Sequence, residues 1–471
     1  MMGKLGPIAR TSNAIRTGEV TATRVVTHAL EQIEKLDSKL NSVVMTCAES
    51  ALEQAAHIDR DGSSSALAGL PTLIKDLEDA EGLPTRKGSA AFADRPPATG
   101  DGVVPGRLKQ AGAIVVGKST LPEFALEGYT SNLATGVTRN PWNLDLSPGG
   151  SSGGSAAAIA AGMVPIATAT DGGGSIRIPA AFCGLVGLKP TNGVIGRWPT
   201  PDWIDFSTDG PFATTVSDLK LLMDVLVGPS SGDPSAYPAK AWKQYDNVKP
   251  TKIYAAIRTS DFGPLPTELN NHFESAVLEF ANLLKLPVEW IEPGSLFGND
   301  DPDLDWFTVA TVEHLNSLGR DWVSSNFAQL HPASQEFLTQ GMSVTVDEYL
   351  EARRRRYRYV RIMDELLAGP KLLLTPTVAE IGWLADGRLD EKSQPGSLPP
   401  EVYSTALQNV TGIPAISIPS GIMSNGLPGS IQVTGPRLSD SLLLGIAEQW
   451  ESANPWQTSA TGYAAFDSIL D

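Results

Sequence analysis

Two glycine-rich runs on either side of a small-residue segment constrain this chain more than any other feature. The stretch "SPGGSSGGSAA", Ser147 to Ala157, puts four glycines and four serines into eleven residues, and "ATDGGGSIRIPA" follows before residue 181. Between them, "SAAAIAAG" is a strong helix former whose side chains are small enough to pack closely on a sheet. The first run therefore ends on a helix N-terminus. "VPIATAT" then reads as a strand leading into Gly172–Gly174. A flexible linker is not followed by so apolar a segment. A phosphate loop would need a GK[ST] or GxGxxG pattern, and neither is present. What remains is a pair of loops that aim a serine or a set of backbone N–H groups at something.

Gly149 to Gly153 formally matches the GxSxG elbow around Ser151, but the histidine of that arrangement comes late in the chain, and none occurs after His331. The SxxK match Ser217 to Lys220 lacks its KTG and SDN companions, so Ser217 reads as a helix N-cap. A serine hydrolase without histidine needs another base, and lysine is the usual substitute. Neutrality near pH 7 requires the lysine pKa to fall by roughly three units, about 4 kcal/mol, which burial can supply. Lys75 closes the apolar run "LPTLIK". Taken alone, a lysine at a strand end more often snorkels to the surface.

Composition narrows the ligand. Acidic residues outnumber basic ones 53 to 36, a net charge of −17, which opposes nucleic acid and anionic lipid and favours a small neutral ligand. Two cysteines and five scattered histidines suggest neither a disulfide framework nor a zinc site, and no cofactor is expected. No apolar run reaches the roughly twenty residues of a membrane span, and the first residues lack a secretory apolar core, so a cytoplasmic protein is expected.

Val26, Leu30, Ile33 and Leu36 predict a helix behind a Thr21 cap, and a second helix is expected over about 102–110. "LPTLIKD" and "GAIVVGK" read as buried strands, giving an α/β sheet with covered faces. Thr345 and Glu348 form a capping box opening a helix striped by Val346, Leu350, Tyr357, Val360, Met363 and Leu367, with Arg353–Arg356 on a solvated face. Residues 292–306 read as an acidic surface loop.

The continuous stretch "GGSSGGSAAAIAAGMVPIATATDGGGSIRIPAAFCGLVGLKPT" resembles the signature of the amidase signature enzymes. The similarity extends through "LAGLPTLIKD", "TRNPWNLDLSPGG", "DGPFATTVSDLKLLMDVL", "LLLTPT" and "NVTGIPAISIPSG" to nearly the whole chain. The resemblance implies one α/β/α domain over 1–471, a large twisted mixed β-sheet covered by helices on both faces. Its catalytic core would span about 66–200 and its variable pocket region about 200–400. It also implies a Ser-Ser-Lys triad: Lys75 as base, Ser151 as relay behind a cis peptide, and Ser175 as nucleophile. The amides of Gly172, Gly173 and Gly174 would serve the oxyanion. Asp171 and Arg177 are expected to hold the loop, and Cys183 to be a small core residue. Gly172 stands where many relatives have threonine or isoleucine, Ile178 where transamidation subunits typically have glutamine, and "LIKDLED" departs from the common IKDN.

The expected activity is hydrolysis of a small amide, anilide or carbamate, with a small-molecule substrate, no nucleic-acid or membrane partner, and a homodimer left open. The alternative is the glutaminase subunit of a tRNA-dependent amidotransferase. Trp198, Trp203, Trp306 and Trp383 are candidates to line an apolar cleft.

Overall fold

The computed structural model describes residues 5–258, 265–292, 294–388 and 404–471. Within them the strands divide into a seven-stranded mixed sheet, a four-stranded mixed sheet and two short pairs. The seven-stranded sheet runs Phe212–Ala213, Val186–Lys189, Ala415–Ile422, Pro428–Thr434, Leu372–Pro376, Ile253–Ala255 and Val288–Trp290.

Alternation along its strands explains why helices cover both faces. Leu372 and Leu374 join Ile416, Ile418, Ile431 and Val433 in a core closed by the helices Val216–Leu226, Thr267–Leu284 and Asp440–Ala453. Leu373 points the other way, into a core formed with Pro302–Leu318, Val346–Leu367 and Ala406–Thr411. The four-stranded sheet repeats this logic: Leu73 packs toward Ala22–Leu40 and Gly153–Ala160, and Ile74 toward Val103–Gln110. The mixed α/β architecture expected from the sequence is present.

Thr21 caps the helix Ala22–Leu40 by accepting from the Arg24 N–H, and the second expected helix spans Val103–Gln110. The two apolar runs are strands Pro71–Lys75 and Ile114–Ser119, paired in parallel. "VPIATAT" does not form one strand. Ile166–Ala167 pairs with Pro71–Lys75, whereas Thr170–Asp171 pairs antiparallel with Thr208–Asp209. That break turns residues 168–171 across the end of Lys75's strand.

Four further expectations need correction. Thr215, not Ser217, caps Val216–Leu226, because its side chain accepts from the Asp218 N–H. The segment 292–306 is not all loop: Asp301 caps a helix that starts at Pro302 and carries Asp305 and Trp306 into the core, while residue 293 lies outside the described residues. The helix Val346–Leu367 has its capping box, but Val346, Leu350 and Tyr357 are exposed, and the buried residues are Ala352, Tyr359, Met363 and Leu367. Finally, Arg353–Arg356 is not simply a solvated face. Arg353 bonds Glu313 at 3.0 Å, Arg355 bonds Asp305 at 2.6 Å and Arg356 donates to the Val410 carbonyl at 2.7 Å. The helix is thereby tied to its neighbours through its cations.

Candidate active site

Lys75 ends its strand fully buried, with its own N–H donating to Thr168 Oγ1 at 2.8 Å. Its ammonium nitrogen contacts three hydroxyls: Ser151 Oγ at 2.7 Å, Ser152 Oγ at 2.9 Å and Thr170 Oγ1 at 2.8 Å. None of the three is a carboxylate. The chemistry of that set matters, because a hydroxyl both donates and accepts. An ammonium donates to all three, and a neutral amine donates to two and accepts from the third, so a proton can leave or return without stranding a buried polar group.

Burial drives the Lys75 pKa down to about 7, against the opposing pull of Glu78, Asp171 and Asp209. Glu78 is pushed up to about 8 by burial and by the charge of Asp209, and Asp209 itself rises to about 6 by burial. The Glu78 carboxylate accepts from Thr168 Oγ1. Asp209 is the cross-strand partner of Thr170. Two carboxyls thus act on the lysine and line one pocket; Glu78 lies in the "LED" that follows "IKD", whereas Asp209 has no signal near that motif.

The first glycine run is a close-packed turn. A Cβ on Gly154 would lie 2.3 Å from Thr120 Oγ1, and one on Gly150 2.6 Å from the carbonyl oxygens of Glu127 and Tyr129. The Gly150–Ser151 peptide is cis. Ser151, Ser152 and Ser155 are all buried; Ser155 is occupied with Ser119 Oγ at 2.6 Å and the Thr168 carbonyl at 2.8 Å. Ser175 alone of the serines in the two runs is partly exposed, on a pocket whose wall also includes Ser151, Thr170, Gly172 and Trp203.

The second run is held by Asp171 and Arg177, both buried and joined at 2.8 Å. Burial would raise the Asp171 carboxyl, but the guanidinium overrides it and holds it below the usual range. Asp171 also accepts from the Gly174 N–H at 2.8 Å and the Ile176 N–H at 3.2 Å. Arg177 reaches Gln408, Gln432 and Asn409 at 3.0, 2.8 and 2.7 Å. One refinement follows. The Gly174 N–H is already engaged, so of the three glycine amides those of Gly172 and Gly173 are the ones left for a ligand. Gly174, at φ +138° and with a would-be Cβ 2.4 Å from Thr405 Oγ1, is required as glycine for its backbone.

Of the four tryptophans, Trp198 and Trp203 line the pocket. Trp306 lies behind the glycine loop, donating to the Gly172 carbonyl at 2.7 Å. Trp383 packs edge-on against Phe182 in a separate cluster. Residues 259–264, 293 and 389–403 of the variable region lie outside the described residues. Cys183 is a buried core residue whose thiol is pushed up by burial. Sequence reasoning missed Ser152 and Thr170 as lysine partners, although both sit inside the quoted motif. Among the described residues no cluster of His, Cys, Asp or Glu could hold a metal ion, and no helix is long and apolar enough to cross a membrane.

A family model described as Amidase matches residues 24–444. The chain is 34% identical over 460 residues to "Putative amidase AmiB2" of Mycobacterium tuberculosis (strain ATCC 25618 / H37Rv), covering 95% of this chain and 96% of the relative. It is 32% identical over 486 residues to a glutamyl-tRNA(Gln) amidotransferase subunit of Methanosarcina acetivorans, covering 97% and 98%. Among solved structures, a bacterial aryl acylamidase of the amidase signature family superposes with a TM-score of 0.85 at 26% identity, covering 99% of each chain.

Proposed function

The chain belongs to the amidase signature family of amide hydrolases, and from that premise we propose that it cleaves the C–N bond of a small or linear amide, anilide or carbamate through an acyl-enzyme on Ser175. The observation that carries the reading is the buried amine of Lys75, at a pKa of about 7, in contact with hydroxyls rather than a carboxylate.

In this reading, neutral Lys75 takes a proton from Ser151 as Ser151 takes one from Ser175. The Ser175 oxygen forms a bond to the acyl carbon, and the carbonyl electrons move onto oxygen, where the Gly172 and Gly173 amides receive the charge. Collapse breaks the C–N bond, and the proton returns from Lys75 through Ser151 to the leaving nitrogen. Water then attacks the acyl-enzyme by the same relay and releases the acid. A carbamate offers the same geometry with a poorer electrophile: loss of the amine leaves an alkoxycarbonyl group on Ser175, and the monoalkyl carbonate that water releases loses carbon dioxide to give the alcohol. The similarity to an aryl acylamidase and the Trp198 and Trp203 walls favour an aromatic substrate.

The test is labelling by a fluorophosphonate followed by peptide mass analysis. The label is expected on Ser175, and Ser175→Ala should lower kcat by about 10⁵-fold or more while leaving the fold intact. Labelling at Ser152 or Ser155 would assign the nucleophile elsewhere.

The glutaminase reading keeps one supporting observation, the similarity to the Methanosarcina amidotransferase component over nearly its whole length. The isolated chain decides. Hydrolysis of 4-nitroacetanilide without partners supports the amidase, whereas glutamine-dependent activity seen only with partner proteins supports the alternative.

A further inference from the structure

Three successive carbonyls of the second glycine run are each held from behind by a side chain from a distant part of the chain. Asn409 Nδ2 donates to the Asp171 carbonyl at 2.9 Å, Trp306 Nε1 to the Gly172 carbonyl at 2.7 Å, and Thr405 Oγ1 to the Gly173 carbonyl at 2.5 Å. In a planar trans peptide the C=O of one residue and the N–H of the next point in opposite directions. Fixing the three carbonyls therefore fixes the directions of the Gly172, Gly173 and Gly174 N–H groups on the other side. The third of these reaches Asp171 Oδ1, as this geometry requires.

The glycines themselves supply no side chain to stiffen the loop, and the space is filled by tryptophan rings instead. A Cβ on Gly172 would lie 2.2 Å from Trp203 Cε3, and a Cβ on Gly173 2.7 Å from Trp306 Cζ2. The two indoles meet edge to face with centroids 5.4 Å apart, and both are buried. Trp306 thus combines packing against the loop with a directional hydrogen bond to the peptide that carries the Gly173 N–H.

We infer that Trp306 is a positioning residue for the oxyanion site: its indole N–H, bound to the Gly172 carbonyl, holds the Gly173 amide in the orientation that receives the developing charge, while Trp203 fills the volume left by Gly172. The inference rests on the acyl-enzyme reading above and assigns the loop's alignment to a tryptophan outside the glycine-serine motif. Trp306 is not part of the pocket wall that Ser175 shares; it acts through the peptide.

The experiment measures hydrolysis of 4-nitroacetanilide or p-nitrophenyl acetate, together with inhibition by 2,2,2-trifluoroacetophenone, whose serine adduct carries an oxyanion, and by 4-nitroaniline, which does not form one. For Trp306→Phe, kcat should fall about 10- to 100-fold with KM within about threefold, in the range that a misplaced oxyanion donor costs. Affinity for the ketone should fall by the same factor, and inhibition by 4-nitroaniline should not change. Replacing Trp306 with β-(3-benzothienyl)alanine, which keeps the bicyclic shape but has sulfur in place of N–H, should reproduce the loss in a folded protein, and 7-azatryptophan, which keeps the N–H, should restore wild-type kcat. Wild-type kcat in the benzothienyl variant would overturn the inference, as would equal weakening of both inhibitors. A wild-type enzyme inert toward both substrates and unlabelled at Ser175 would defeat the acyl-enzyme reading first, before any variant is made.

Discussion

Lys75 and Lys189 invite comparison because they match in almost every respect but one. Each is the last residue of its strand, each is fully buried, and burial drives each down to about 7. They differ in what surrounds the nitrogen. Lys75 meets three hydroxyls, two of which, those of Ser151 and Thr170, belong to residues of the pocket wall. Lys189 donates to the Pro190 carbonyl at 2.9 Å and to Asn192 Oδ1 at 3.0 Å, away from the pocket wall. A carbonyl oxygen can only accept, so these contacts tie down N–H groups and offer no route for a proton. A depressed pKa is thus necessary for a base but does not make one; a partner that can pass the proton onward does.

Exchanging these side chains should separate the two regions most sharply. Lys75→Met should reduce kcat/KM by about 10⁴-fold or more, since it removes the only proton acceptor the relay has, with circular dichroism unchanged. Loss below about tenfold would mean that the relay ends elsewhere. Next in size is the effect of pH. The base must be neutral, so activity should rise as pH climbs through about 7, and at pH 5 should be about 100-fold below its plateau.

Glu78→Gln tests the wall beside Lys75. Ionised Glu78 favours the ammonium form, but with its own pKa at about 8 it is largely protonated over the acid limb of the kcat/KM profile, so its removal should move that limb only slightly, and to lower pH. The Asp209 charge also holds the Lys75 pKa up, so Asp209→Asn should move the limb in the same direction. A shift to higher pH in either variant would contradict the arrangement. The smallest effect belongs to Lys189→Met, whose kcat/KM should stay within about threefold of wild type. A loss approaching that of Lys75→Met would erase the distinction between the two lysines.

The stability of the wild type carries the same signature. A lysine whose pKa falls from 10.5 to about 7 on folding binds fewer protons in the folded state between those values, so its contribution becomes more favourable as pH rises through that window. The difference in stability between wild type and Lys75→Met, followed by denaturant unfolding, should vary with pH there in that sense.

Local chemistry made much of this legible. Apolar runs bounded by turn residues gave Pro71–Lys75 and Ile114–Ser119 nearly to the residue, and Thr21 marked its helix as a cap. The resemblance to the amidase signature pattern named Lys75, Ser151 and the glycine loop together, and the structure sets the Lys75 nitrogen on Ser151 Oγ. What stayed hidden depends on chain segments that meet only in three dimensions. Nothing near Trp306 announces that its indole lies behind Gly172, and Asp301–Trp306 read as an acidic loop because three aspartates conceal an N-cap and a half-buried Asp305–Arg355 pair. Likewise spacing put Tyr357 in the packing stripe, but Tyr359 is the tyrosine that turns inward, onto the Asp305 carboxylate and the Phe297 ring.

The contacts of Arg177 with Gln408, Asn409 and Gln432 have a consequence for synthesis as well as for chemistry. The loop bearing Ser175 is synthesised first, and the side chains that finish its scaffold are added more than two hundred residues later. A chain cut before residue 404 would hold Lys75, Ser151 and Ser175 and still lack the side chains that Arg177 grips behind the loop.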